Sequence, residues 1–336
     1  MSTALRIWFE FAACVVLIGV AGSRLARYGD ALASLTGLSR NWIGMILMAT
    51  VTSLPELVTG LSAVTIAAAP DLAVGDALGS CVFNLAILAV VDVVRRNGSF
   101  YAEASRVHVL SAVFGIGLLA IAGIGIATKG YTASWSVGHV SAFSLALILA
   151  YAVAMHSIFR AEQRGARPQA AMAAATAMGL RQALGGYALA AIVIVVAGIW
   201  LPLVGVQLAR IMGWSDSFVG TLFVALATST PELATTLAAV RMGAIDLALG
   251  NILGSNLFDL LIVAMDDIAY VPGSIFQGVS TVHVVSVLCA ALMNVAVIVA
   301  LLRRPARRVL RTMSWAGVAL AVLYFLNAIV QYRYAS

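Results

Sequence analysis

Apolar residues follow one another along this chain in long stretches bounded by Arg, Asp, Gly and Pro. Stretches of that kind fit membrane-spanning helices, which need about 20 apolar residues each. They predict ten spans, near residues 5–26, 40–68, 72–94, 105–127, 134–159, 183–204, 216–240, 246–268, 279–302 and 312–331. The segment Arg27–Leu38 reads as a short amphipathic piece or a continuation of the first helix. The first apolar run, Ile7 to Ala26, contains Glu10 and lacks a basic region leading to a small-residue cleavage site, so it reads as a retained helix.

Composition agrees with this pattern. Of 336 residues, 62% are apolar or aromatic and only 10% are charged, and the mean hydropathy is +1.02. Globular domains carry about a quarter charged residues, so a water-soluble fold is excluded and the chain reads as an all-α integral membrane protein. Its length leaves no room for a large soluble domain. A net charge of +6 would suggest nucleic acid or acidic partners in a soluble protein; here the placement of the charges matters more, and no nucleic acid is expected. With ten spans, sixteen of the 20 basic residues fall on one side, including Arg95, Arg96, Arg160 and the Arg303–Arg311 cluster, and Arg6, Lys129, Arg210 and Arg333 on the other. The positive-inside rule puts the Arg-rich side in the cytoplasm. A multi-pass protein of the plasma membrane is expected, with both termini outside and the central loop of residues 160–182 inside. Cys14, Cys81 and Cys289 lie in apolar runs without C-x-x-C spacing and say little about redox compartment.

The chain also matches itself. Gly37, Ser39, Gly44, Thr52, Ser53, Pro55, Glu56 and Leu57 recur 176 positions later, as Gly213 through Leu233. After a one-residue deletion, Asp71, Leu72, Gly75, Leu78, Gly79, Ser80 and Phe83 recur 175 positions later, as Asp246 through Phe258. The copies occupy spans 2–3 and 7–8, five spans apart, and an odd separation makes them antiparallel. A five-plus-five inverted repeat follows: residues 1–160, a cytoplasmic linker at 161–182, and residues 183–336. In such architectures the site lies near the midplane, where the copies face each other.

The repeated residues supply oxygen. Thr52 and Glu56, Ser80 and Asn84, Thr228 and Glu232, and Ser255 and Asp259 are each four apart, so each pair is expected on one helix face. Pro55 and Pro231 remove a donor and free the carbonyls of Val51 and Ala227, and Gly79 and Gly254 are expected to allow a similar break in spans 3 and 8. Unwound backbone at membrane depth needs a partner, and a bound cation is one. Ionised Glu56, Glu232 and Asp259 would each cost on the order of 2.5–3.5 kcal/mol at this depth, so they need cations or protons. Hard oxygens suit Ca2+ or several Na+, and the lack of repeated His or Cys argues against Zn2+ or Cu. A site that must hold compensating charge, but can hold it as different ions, is the chemical basis of an exchanger.

These T-S-x-P-E and G-S-x-x-F-N/D segments resemble the sodium/calcium exchangers of the calcium/cation antiporter superfamily, over nearly the whole chain. The resemblance implies alternating access, with spans 1 and 6 moving across a core of spans 2, 3, 7 and 8. It implies Glu56 and Glu232 as central Ca2+ ligands, Asp259 and Asn84 as a second pair, and Thr52, Ser53, Ser80, Thr228, Ser229 and Ser255 as Na+-ligating hydroxyls. An acidic residue at Asp259 is typical of the sodium-dependent branch. The expected activity is therefore Ca2+ export in exchange for Na+, in membrane lipid and without a cofactor. Two departures stand out, Asp76 and Cys81, where the second copy has Asn251 and Asn256.

Asp76 reads first as a polar residue at a helix start, outside the core site. The four histidines fall outside the matched segments and read as packing or interfacial residues, and Asp92, Asp266 and Asp267 as solvated helix ends. The same carboxylates can carry H+, so H+/Ca2+ exchange on this fold stays open, as does a passive cation channel. An enzyme is not expected: there is no H-E-x-x-H, and Ala73-Val74-Gly75-Asp76 is not the motif of an intramembrane aspartyl protease. The oligomeric state is left open by the sequence.

Overall fold

The structure, a computed structural model, describes residues 2–36, 51–95, 100–128, 136–165, 178–304, 309 and 313–334. The main helices are α1 (Thr3–Thr36), α2 (Leu54–Thr65), α3 (Pro70–Val94), α4 (Val107–Ala127), α5 (Ala142–Gly165), α6 (Leu180–Met212), α7 (Asp216–Thr228), α8 (Thr230–Arg241), α9 (Ile245–Ala269), α10 (His283–Arg303) and α11 (Trp315–Tyr334). Among the described residues eight helices are long and apolar enough to cross a membrane, and α7 with α8, bent by 46° at their junction, makes a ninth. The span expected at residues 40–68 is described from residue 51 onward, and its first part lies outside the described residues.

Several boundaries differ from expectation. Of the two readings of the segment after Arg27, the structure takes the continuation, and α1 runs as helix to Thr36. The fifth span starts later, at Ala142, because Ser136–Val137 (β1) and Val140–Ser141 (β2) first form a small antiparallel hairpin. Spans 3 and 8 are unbroken: α3 and α9 each run 25 residues. Gly79 serves close packing instead, since a Cβ there would overlap the backbone of Thr221.

The copies run in opposite directions. Asp71, at the start of α3, accepts a hydrogen bond from the Ser280 backbone N–H (2.7 Å), and His283 Nε2 lies 3.0 Å from the same oxygen. Asp246, at the start of α9, accepts from the Ser105 N–H (2.7 Å), with His108 Nε2 at 3.1 Å. Ser105 follows the end of α3 and Ser280 follows the end of α9, so these two helices are antiparallel. His108 and His283 are themselves 175 residues apart, so they belong to the repeat, contrary to the sequence reading.

A second cross-repeat pair closes the other ends. Asp92 accepts from Ser314 N–H (2.6 Å) at the start of α11. Asp267 accepts from Ser141 N–H (2.8 Å) and Ser144 Oγ (2.5 Å) at the start of α5, and from Ile275 N–H (2.6 Å). These aspartates and Asp266 are buried, not solvated helix ends. Asp92 and Asp267 each satisfy helix-start donors that lipid would leave unpaired. Asp267→Ala is therefore expected to cost about 1–3 kcal/mol, read as a lower midpoint of thermal unfolding in detergent; an unchanged midpoint would mean these caps contribute little.

Helices α3 and α9 are the most enclosed, flanked by α2, α7 and α8. The two longest helices, α1 and α6, pack side by side along the outside of this core. At 34 and 33 residues they extend about 50 Å at 1.5 Å per residue, well beyond a hydrocarbon layer of about 30 Å. α1 crosses the α7–α8 break, where Gly22 lies against Pro231 and Gly19 against Thr230; α6 crosses α2, with Gly198 against Val58. The start of α1 and the end of α11 lie at the same face. Trp8 packs edge-on against Trp214, and Phe218 against Tyr332, which joins the starts of α1 and α7 to the end of α11.

Candidate cation site

Proline sets the local geometry. Pro55 and Pro231 stand in the first turn of α2 and α8, and Ser53 and Ser229 before them share one non-helical conformation, φ −87° and ψ 13° against φ −86° and ψ 10°. The missing proline donor ends the preceding helical segment here. At α8 the Thr230 hydroxyl donates to the freed Ala227 carbonyl (2.8 Å). The equivalent residue in the first copy is Leu54, which has no hydroxyl.

The ten residues singled out from sequence are all buried, none more than 1% exposed. Several of their hydrogen bonds cross between copies, while Ser255 Oγ donates to Glu232 Oε1 (3.3 Å) within the second. Ser229 Oγ donates to Glu56 Oε1 (3.0 Å), and Ser53 Oγ donates to Glu232 Oε1 (3.3 Å). Thr52 Oγ1 lies 3.4 Å from Ser255 Oγ, and Thr228 Oγ1 lies 3.5 Å from Ser80 Oγ. On the pseudo-twofold axis, Asn84 Nδ2 donates to Asp259 Oδ2 (3.4 Å). Beside them Asn256 Nδ2 donates to the Cys81 carbonyl (3.1 Å), and Cys81 Sγ lies 3.6 Å from the Asn256 carbonyl. Cys81 thus occupies a structural contact.

Asp76 is not an exposed helix-start residue. It is 1% exposed and accepts from Thr228 Oγ1 (2.9 Å). Its repeat mate Asn251 lies 3.4 Å from Thr52 Oγ1 and donates to Thr235 Oγ1 (3.1 Å) and Thr236 Oγ1 (3.2 Å). The signal for this role was the 175-residue offset joining Asp76 to Asn251.

Four carboxylates therefore meet at the junction of the two copies, and each keeps one oxygen without a hydrogen-bond partner: Glu56 Oε2, Asp76 Oδ2, Glu232 Oε2 and Asp259 Oδ1. Unpaired charge in so dry a place is expensive. The Arg–carboxylate ion pairs among the described residues, Arg6–Glu10 and Arg95–Glu103, involve none of these groups. Among the described residues no three His, Cys, Asp or Glu side chains form a metal-holding group by themselves. A cation bound here would need hydroxyl, amide and backbone oxygens too, as hard cations with high coordination numbers do.

An enclosed, oxygen-lined junction between two antiparallel helical copies, crossed by two long outer helices, defines a multi-span transporter. The model of the sodium/calcium exchanger protein family matches residues 6–159 and 182–333, and the chain belongs to that family. The inner membrane protein YrbG of Escherichia coli (strain K12) is 30% identical over 265 residues, covering 78% of this chain and 79% of its own. Among solved structures, an H+/Ca2+ exchanger CAX superposes with a TM-score of 0.70 at 15% identity, over 99% of this chain and 84% of its own. The sodium-calcium exchanger NCX_Mj superposes with a TM-score of 0.62 at 19% identity, over 96% of this chain and 98% of its own. These two likenesses establish the shared fold.

Proposed function

We propose that the chain is a secondary antiporter exchanging Ca2+ for Na+ by alternating access, with ten spans in a five-plus-five inverted repeat of residues 1–160 and 183–336 joined by a cytoplasmic segment at 161–182. The observation that carries this reading is the reciprocal pair Ser229–Glu56 and Ser53–Glu232, which joins the two copies at one closed set of buried carboxylates. Glu56 and Glu232 ligate Ca2+. Asp259, Asn84 and the hydroxyls of Thr52, Ser53, Ser80, Thr228, Ser229 and Ser255 complete the positions that Na+ takes in its place. Family membership supports the cargo, and both solved relatives are Ca2+-linked exchangers.

The mechanism follows from charge and symmetry. Emptying the site leaves several carboxylates facing one another in a dry core, so the cation-free form is costly and rarely reorients. A site filled by either ion is compensated and crosses. Because both ions use the same oxygens they exclude each other, and movement of one must alternate with the other. The Arg-rich side is the cytoplasm and both termini lie outside, by the positive-inside rule.

The test is 45Ca uptake into proteoliposomes loaded with Na+ and diluted into Na+-free medium, with a matched pH-gradient control. Uptake requiring the Na+ gradient is expected. Uptake following only the pH gradient would move the chain to H+/Ca2+ exchange, and uptake needing no counter-ion would make it a channel.

A further inference from the structure

The two copies match closely at the site but not on either side of it. On the side toward the Arg-rich ends of the core helices, Asn251 donates to Thr236 (3.2 Å), a neutral and satisfied pair. The repeat mates of these residues are Asp76 and Gly60. The position mated to Val91 is Asp266, so the second copy supplies an acid where the first has valine. The first copy's extra acid, Asp76, and the second copy's, Asp266, both fall in the half toward the termini. Asp76, Gly60 and Asp266 lie six, five and three residues from the ends of α3, α2 and α9 at that face, about 5–9 Å along each helix axis.

Asp266 has an unusual setting. It is fully buried, and neither carboxylate oxygen has a hydrogen-bond partner. Both oxygens face Gly60, one turn beyond Glu56: a Cβ on Gly60 would stand 2.6 Å from Oδ2 and 2.8 Å from Oδ1. The carboxylate thus occupies space that a side chain would fill. Its neighbour Asp267 is satisfied by three donors, so helix capping does not account for Asp266. Asp76 likewise keeps Oδ2 unpartnered, on the flank of the central site where it meets Thr228. Packing and helix-end chemistry leave these three oxygens unused, and a carboxylate so enclosed needs a positive partner.

We propose that Asp76 and Asp266 form a second cation-binding position, a staging site for the transported divalent cation between the central carboxylates and the face that carries the termini. It rests on the reading of the central site as one for Ca2+ exchange. Two carboxylates match the charge of one Ca2+ and supply hard oxygens, and their arrangement continues the line of Glu56 toward that face. Among the described residues the opposite half has Asn251 and Val91 at the mated positions in place of these two acids. The two faces therefore differ: a cation that enters or leaves by the termini face passes this second position, and one that uses the other face does not.

Sided transport tests this in reconstituted vesicles sorted by access to a tag at one terminus. Asp266→Asn keeps the size of the side chain and is expected to raise the KM for Ca2+ about tenfold from the termini face, with kcat and the KM from the opposite face unchanged. An equal change from both faces, or none, in protein whose wild type exchanges Ca2+ would overturn the staging site and leave the exchanger intact. A second measurement does not depend on exchange: equilibrium binding of 45Ca to the purified Glu56→Gln/Glu232→Gln protein, monodisperse on gel filtration. Residual binding that disappears when Asp266→Asn is added supports the site. Absence of binding in the double variant, or binding insensitive to Asp266→Asn, overturns it, including the case in which these acids hold only protons.

Discussion

Replacing Glu56 or Glu232 by glutamine is expected to abolish Ca2+ exchange, with uptake falling at least about a hundredfold, the equivalent of about 2.8 kcal/mol. Glutamine keeps the length of the side chain and an oxygen able to accept from Ser229 or Ser53. What it removes is one negative charge and the unpartnered carboxylate oxygen that a cation would use. Folding should survive, because in cation-free protein the substitution relieves repulsion among buried carboxylates. Each variant should melt, without Ca2+, at or above the wild-type temperature while failing to transport. Normal uptake by either variant would break the proposed mechanism; a large fall in melting temperature would mean that the carboxylates are structural.

The second large effect is expected at Gly22. A Cβ there would overlap Pro231 at the break between α7 and α8, so α1 can cross this point only because the residue lacks a side chain. If α1 and α6 move across the core between two states, a bulky residue at the crossing has to climb over the proline at each passage. Gly22→Leu is expected to slow exchange more than about tenfold while equilibrium 45Ca binding persists, since none of the ten site residues is on α1. Its mate Gly198→Leu, against Val58 at 2.9 Å from the added Cβ to Cγ1, should slow exchange less, because a valine side chain can turn aside and a proline ring cannot. Unchanged exchange in Gly22→Leu would argue against movement of α1 over the break.

Much of this was legible in the residues themselves. The 176- and 175-residue offsets located the two proline breaks and the ten residues proposed for the site, all of them buried, because duplicated intramembrane acids have few other uses. What the spacing misjudged was partnership. Thr52 and Glu56 stand four apart, which predicts one helix face, yet the break at Ser53 separates them, and Glu56 instead meets Ser229 of the other copy. Ser80 with Asn84 and Ser255 with Asp259 lie on unbroken helices, where that spacing holds.

The histidines were missed for another reason. The relation of His108 to His283 was in fact legible, since Ser105, Val107, Val109 and Ser111 around the first recur 175 positions later as Ser280, Val282, Val284 and Ser286 around the second; what the residues alone do not report is their shared contact with Asp246 and Asp71. Asp76 and Asp266 misled because an acid near a helix start or end is ordinarily solvated. Here neighbouring helices enclose both, which composition along one strand of sequence does not report.

The exchange of hydrogen-bond partners between copies has a consequence for ancestry. Glu56 finds its serine donor in the second copy, and Glu232 accepts from Ser53 of the first as well as from Ser255 of its own, so a half-length chain would hold an unfinished site. Two such chains could complete it by inserting in opposite orientations and associating. Fusion of the halves would fix that pairing and free each to diverge, and aspartates present in one copy and absent from the other, at positions 76 and 266, are the kind of difference that only a fused pair can keep on one side of the membrane.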